Sequence, residues 1–182
     1  MTVSADGYVV QASTRSDFQA GTVISSATSA QAVQLTPQGL FTNTTYYLRA
    51  GALWGQSTYY ALTTPISTAT LASPLSNAAV ARVFVTSVTV NWTALPISPS
   101  SSTAEAYLLQ ASTAADFSGT IFSSVTTNAA LSTLTVSGLT TATTYYFRVA
   151  SVNWNNVPNY VVVGSTMTVP AWKSDRVEAC TT

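Results

Sequence analysis

At 182 residues the chain has room for one large domain or two small ones, and its 47% hydrophobic content supplies a core, which excludes disorder for the chain as a whole. Six basic residues balance six acidic ones, and that balance excludes a nucleic-acid binder, which must neutralise phosphates with Lys and Arg. Only 7% of residues are charged; an uncharged surface does little to keep copies apart.

Polarity rests instead on Ser and Thr, which hold 55 of the 182 positions. This points to assembly or extracellular life, beside the plainer reading of a Thr-rich soluble β domain. There is no His, so the usual general base and the commonest metal ligand are both missing. The one Cys, Cys180, cannot form an internal disulfide. It is either a terminal thiol or a bridge between subunits. No cofactor or metal is expected. No apolar run reaches the ~18 residues of a membrane helix. Residues 1–7 show neither the basic start nor the apolar stretch of a secretory signal, so an exported form is a processed chain or a piece of a longer one.

In chain order, Asp6-Gly7 marks a turn and "YVVQAST" at 8–14 alternates like a strand. It returns as "YLLQAST" at 107–113, an offset of 99. Asp17-Phe18 recurs as Asp116-Phe117, Gly39-Leu40 as Gly138-Leu139, and Tyr46-Tyr47 as Tyr145-Tyr146, all at that offset. A period near 100 residues is a duplicated domain, not a solenoid. Short strands, frequent turns and no sustained helical period predict an all-β protein of β-sandwich type. In the second copy the expected strands are 75–84, 87–93, 106–112, 121–125, 131–136, 144–153 and 160–169, lettered A, B, C, C′, E, F and G. A Pro/Ser-rich connection at 95–103 joins B to C, and Pro74 marks the boundary between copies.

Leu139, Thr143 and Tyr145, repeated as Leu40, Thr44 and Tyr46, resemble the tyrosine corner of fibronectin type III domains. Tyr145, Arg148 and Val149 match that family's Tyr-x-x-Arg-Val strand, and Trp92 in "SVTVNW" matches its strand-B Trp. The usual Pro-Gly of the bend is replaced here by Thr-Ala and Thr-Asn. The resemblance spans roughly residues 8–170. It implies two immunoglobulin-like, fibronectin type III β-sandwiches in tandem. The corner Tyr hydroxyls are expected to bond the backbone of the preceding bend, and Trp92, Val88 and Val90 to share the buried face of one strand.

The first copy starts at strand C, so nothing matches strands A and B and the partner of Trp92. The expected organisation is an incomplete unit at 1–72 (strands C to G), a complete domain at 73–170 and a charged tail at 171–182. An open apolar sheet face and a free strand E invite partners. Three explanations compete: a fragment of a longer array, a strand donated by a neighbouring subunit, or a merger of the copies into one irregular sandwich. Candidate subunit contacts are Tyr8 and Val10 on the open unit and Trp172, Val177 and Cys180 on the tail. A head-to-tail contact of that kind propagates into a filament unless it closes into a ring.

Trp54, Trp154 and Tyr160, with Tyr59 and Tyr60, lie around the two F–G turns and are the candidate carbohydrate-contacting aromatics. The alternative is that they cap the sandwich ends or meet an adjoining domain. Asp17 and Asp116 are repeat-equivalent turn residues, not a facing catalytic pair. Asn43-Thr44-Thr45 and Asn91-Trp92-Thr93 fit the glycosylation sequon, and Asn91, beside a buried Trp, is the weaker of the two. The sequence therefore predicts no enzyme. It predicts a structural extracellular or cell-surface subunit whose partners are copies of itself or adjoining domains of a longer chain. The alternative is an adhesin or carbohydrate-contacting spacer of a larger secreted protein.

Overall fold

A computed structural model describes residues 4–19, 21–29, 32–62 and 64–174. The chain divides into two compact units, Met1–Thr70 and Leu71–Thr182. The first contains β1 (Gly7–Ser13), β2 (Val23–Ser29), β3 (Thr45–Trp54), β4 (Ser57–Tyr60) and β5 (Ile66–Ala69). The second contains β6 (Ser76–Val83), β7 (Ser87–Thr93), β8 (Ala106–Ser112), β9 (Ile121–Thr126), β10 (Thr133–Ser137), β11 (Thr144–Val152) and β12 (Pro158–Met167). A four-residue helix, α1 (Ala171–Ser174), follows.

The second unit is a two-sheet sandwich, with β10-β7-β6 in one sheet and β12-β11-β8-β9 in the other. Alternation along each strand makes one face apolar. Val88, Val90 and Trp92 of β7 face a core shared with Tyr107, Leu109 and Ala111 of β8 and Tyr145, Phe147 and Val149 of β11. All nine side chains are buried. Trp92 tilts onto Tyr107, with ring centroids 5.1 Å apart, and the Tyr107 hydroxyl donates to the Ala129 carbonyl at 3.0 Å. The β11–β12 ladder slips by one residue between Phe147 and Arg148. Gly164, at φ 125°, sits at that slip, in a conformation that L side chains rarely adopt.

The first unit reproduces one of these sheets. Its strands run β2-β1-β3-β4, with β5 also paired to β3. Its registers match the second unit's at the 99-residue offset: Tyr8 opposes Ala52 as Tyr107 opposes Ser151, and Val10 opposes Ala50 as Leu109 opposes Val149. A strand E was expected here as well, yet the described residues hold no strand between β2 and β3. Pairing explains the difference. In the second unit β10 forms its ladder with β7, and among the described residues the first unit has no counterpart of β7. A lone edge segment without a ladder partner leaves its backbone groups to water. Pro37 also stands where β10 has Val136, and it brings no N–H. Strand G is likewise split into β4 and β5, with Pro65 just ahead of β5.

Candidate functional site

The two corners are built alike. The backbone N–H of Thr140 donates to the Tyr145 hydroxyl at 3.0 Å, and that of Phe41 donates to the Tyr46 hydroxyl at 3.0 Å. A Thr just past the last strand of each unit latches each bend. The buried Thr168 hydroxyl donates to the Thr140 carbonyl at 2.6 Å and accepts from the Thr143 N–H at 3.0 Å. Thr70 donates to the Phe41 carbonyl at 2.6 Å and accepts from the Thr44 N–H at 3.1 Å. Asn43 and Ala142 hold the left-handed position of the bend, at φ 44° and 51°. Asn takes this conformation readily; for Ala it costs about 1 kcal/mol or more. Leu139 and Tyr145 are buried, as is Tyr46, whereas Leu40 is only partly covered.

Sequence reasoning missed a second repeated arrangement, on the outer face of each β3- or β11-containing sheet. The Arg49 guanidinium lies 4.1 Å from the Phe18 ring centroid and 3.8 Å from that of Tyr60. Its Nε and Nη2 donate to Gln11 Oε1. Arg148 lies 4.2 Å from Phe117 and 3.9 Å from Tyr160, and donates to Gln110 Oε1. Each cation is thus sandwiched between aromatics and covers the sheet with its planar face. Phe18 and Phe117 reach this place because both take a left-handed backbone, φ 56° and 60°, in the Asp-Phe bend. The available signal was the recurrence of Arg, Gln and Phe at one offset. Tyr160 is engaged in this stack, while Trp54 and Trp154 are exposed at 42% and 56%. Trp54 and Trp154 are not equivalents: Asn153 stands 99 residues after Trp54. Asn153 is buried and accepts the backbone N–H groups of Asn155 and Val157.

The Asp residues shape turns. Asp17 Oδ1 accepts the Gln19 N–H at 3.1 Å, and Asp116 Oδ1 accepts the Ser118 N–H at 3.0 Å. Arg15 pairs with Asp17 at 2.8 Å on the exposed surface. The Arg15 hydrogen bond, with the Gln19 N–H, holds the Asp17 carboxyl down to about 2, and the Ser118 hydroxyl and N–H hold Asp116 below the usual range. Because the folded state favours ionised Asp17, its contribution is present above about pH 4 and is lost as pH falls toward 2. An NMR titration of the side-chain carboxyls is expected to place the Asp17 midpoint near 2; an ordinary midpoint would refute the bond. The sequons also separate by environment. Asn43 is buried in the corner, whereas Asn91 is exposed, because it points away from Trp92 on the outer face of β7.

The largest asymmetry between the units is the inner face of the first. Tyr107, Leu109, Phe147 and Val149 are all fully buried, at 0%. Their equivalents fare differently: Tyr8 is 41% exposed, Ala50 is exposed, and Val10 and Leu48 are partly covered. Two adjoining grooves open on this face. The larger, about 420 Å³, is lined by Tyr8, Val10, Leu35, Ala50, Ala52 and Tyr59 among others. The smaller, about 330 Å³, shares Val10, Ala50 and Ala61 with it and adds Leu48 and Ile66. Of the tail candidates, Trp172 lies on α1 and is 64% exposed, while Val177 and Cys180 fall outside the described residues. Among the described residues no cluster of His, Cys, Asp and Glu can hold a metal, and no helix is long and apolar enough to cross a membrane.

No curated protein matches this chain. Among solved structures it is similar to the fn3 domain of human collagen alpha-1(XX) chain, at 26% identity and TM-score 0.43, over 55% of this chain and 89% of that one. It is similar to a two-domain fibronectin type III segment of chicken tenascin, at 15% identity and TM-score 0.44, over 90% of this chain and 87% of that one. It is also similar to the FN1-FN3 domains of chicken CNTN1, at 14% identity and TM-score 0.41, over 87% of this chain and 55% of that one. The family model described as "Fibronectin type III domain" matches residues 73–159. Domains of this family are generally non-catalytic and are typical of extracellular or cell-surface proteins. Residues 73–159 match the fibronectin type III domain family, and the chain carries them in tandem with an earlier copy of one of their two sheets.

Proposed function

We propose that this chain is a structural, non-catalytic subunit of an extracellular or cell-surface assembly, and that copies join through the inner face of the first unit into a filament or stalk. One observation carries the reading. Positions that the second unit buries completely lie in the first on an open, grooved face. Water against Tyr8, Val10 and Ala50 costs free energy that a partner's apolar side chains recover, at about 25 cal/mol per Å² covered. With six charges of each sign in the whole chain, cohesion comes from burial and strand pairing. The exposed Trp172 on α1 is one candidate donor.

The test is negative-stain electron microscopy across a concentration series, with the full chain beside a version ending at Pro170. Filaments that vanish on truncation assign the joint to the tail. Filaments from both versions keep the assembly and move the joint elsewhere. Monodisperse particles in both overturn the proposal. The reading as an adhesin or carbohydrate-contacting module draws on the exposed indoles of Trp54 and Trp154, and it leads in that last case.

A further inference from the structure

We propose that the open face of the first unit is a receptor for a β-hairpin of the kind this chain carries at Ser76–Thr93. Its capture orders residues 34–38 into a strand beside it. This rests on the proposed reading of that face as a joint, and it names the chemistry of what fills it.

The second unit shows what fits such a face. There the hairpin β6–β7 brings Val80, Val83, Val88, Val90 and Trp92 onto the core that includes Tyr107, Leu109, Phe147 and Val149. The first unit keeps the same plan with smaller side chains, having Val10 for Leu109, Leu48 for Phe147 and Ala50 for Val149. Each reduction removes volume from the floor, and the two grooves lie over these positions. An occupant must therefore be at least as bulky on its apolar side as β7, with an aromatic toward Tyr8 as Trp92 lies toward Tyr107.

One end differs in polarity. In the second unit the Ser151 hydroxyl donates to the Ser73 carbonyl at 2.6 Å and the Asn159 amide donates to the Ala72 carbonyl at 2.8 Å. These two bonds hold the chain that leads into β6. At the same register positions the first unit has Ala52 and Tyr59, which make no such tether. The segment leading into the captured hairpin meets a methyl group and a ring, and an apolar residue there is favoured.

The ordering step follows from strand pairing. Residues 34–38 correspond to β10, and Leu35 stands for Leu134, which faces Val90 in the β10–β7 register. Arrival of a β7-like strand gives this segment the ladder partner that the described first unit lacks. Pro37 stands where β10 has Val136 and supplies no N–H, so the ordered segment pairs through its other backbone groups.

The test titrates a synthetic peptide of residues 73–93 into the full chain, read by fluorescence anisotropy and by hydrogen exchange. The expected result is saturable one-to-one binding with slowed exchange across 34–38. Binding should weaken at least about tenfold when the peptide carries Trp92→Ala, and by a similar factor when the chain carries Ala50→Arg. Absence of saturable binding overturns the proposal. So does binding indifferent to both substitutions, protection confined to the second unit, or displacement of the peptide by one of residues 171–182. The two proposals fail separately. A chain that stays monodisperse yet binds the peptide loses the filament and keeps the receptor; filaments without peptide binding do the reverse.

Discussion

Replacing Trp92 by Ala is expected to destabilise the second unit by about 3–5 kcal/mol, the range for deleting a large buried aromatic. The side chain is 5% exposed, lies between the two sheets and tilts onto Tyr107. A cavity there cannot close easily, since its walls are strands fixed in ladders on both sides. Domain stabilities run to about 5–15 kcal/mol in total, so the loss takes a large part of the margin. Urea unfolding followed by far-UV circular dichroism reads it. Trp92→Phe is the informative control. The indole Nε1 is buried and finds no acceptor among the described residues. Removing it therefore sheds a desolvation cost while keeping a ring against Tyr107, and Phe is expected to retain most of the stability that Ala loses. A Trp92→Ala chain within about 1 kcal/mol of the original would show that the sheets are not held together there.

The sandwich was legible in the sequence because its signals are local. Val88, Val90 and Trp92 alternate with polar residues, so β7 and its buried face follow from a period of two. The same holds for Tyr107, Leu109 and Ala111 on β8. The duplication was legible because Leu-x5-Tyr recurs with the same bend. Strand E of the first unit was not readable in this way. Its segment has the right composition, but a strand at an edge exists through its neighbour, and among the described residues the first unit has no counterpart of β7.

The candidate site was legible only as an incompleteness. Counting strands shows one sheet in the described first unit against two in the second, and Tyr8 and Val10 follow from alternation. That Ala50, Ala52, Leu48 and Ile66 line the grooves needs the register of β1, β3 and β5. The arginine stacks were illegible for a different reason. Arg49 meets Phe18 across 31 positions only because an Asp-Phe bend takes a left-handed turn. Asn91 was read through its neighbour Trp92, yet adjacent residues of a strand face opposite ways. Its exposure follows from that alternation.

Placing Arg at two repeat-equivalent positions is expected to give opposite results, and this is the sharpest consequence of the asymmetry. Leu109→Arg puts a cation where the native side chain is fully buried. The described part of that core holds no acid to pair with it, so the second unit should lose about 4 kcal/mol or more and unfold in whole or in part. Val10→Arg occupies the same place in the first unit, at the border of both grooves. There the guanidinium reaches water along a short path, and the isolated chain should change by no more than about 1 kcal/mol. Association is where it acts. A charge buried unpaired in a joint is expected to weaken self-association about 100-fold or more, equivalent to about 2.7 kcal/mol. Denaturation and sedimentation velocity on the same two variants read both halves of the comparison. Loss of stability in both would mean that the first face is already covered within its own chain. Normal folding and normal association of Val10→Arg would instead leave the face open and move the joint to another surface. Only a folded Val10→Arg chain that fails to associate fits a face kept apolar for a partner.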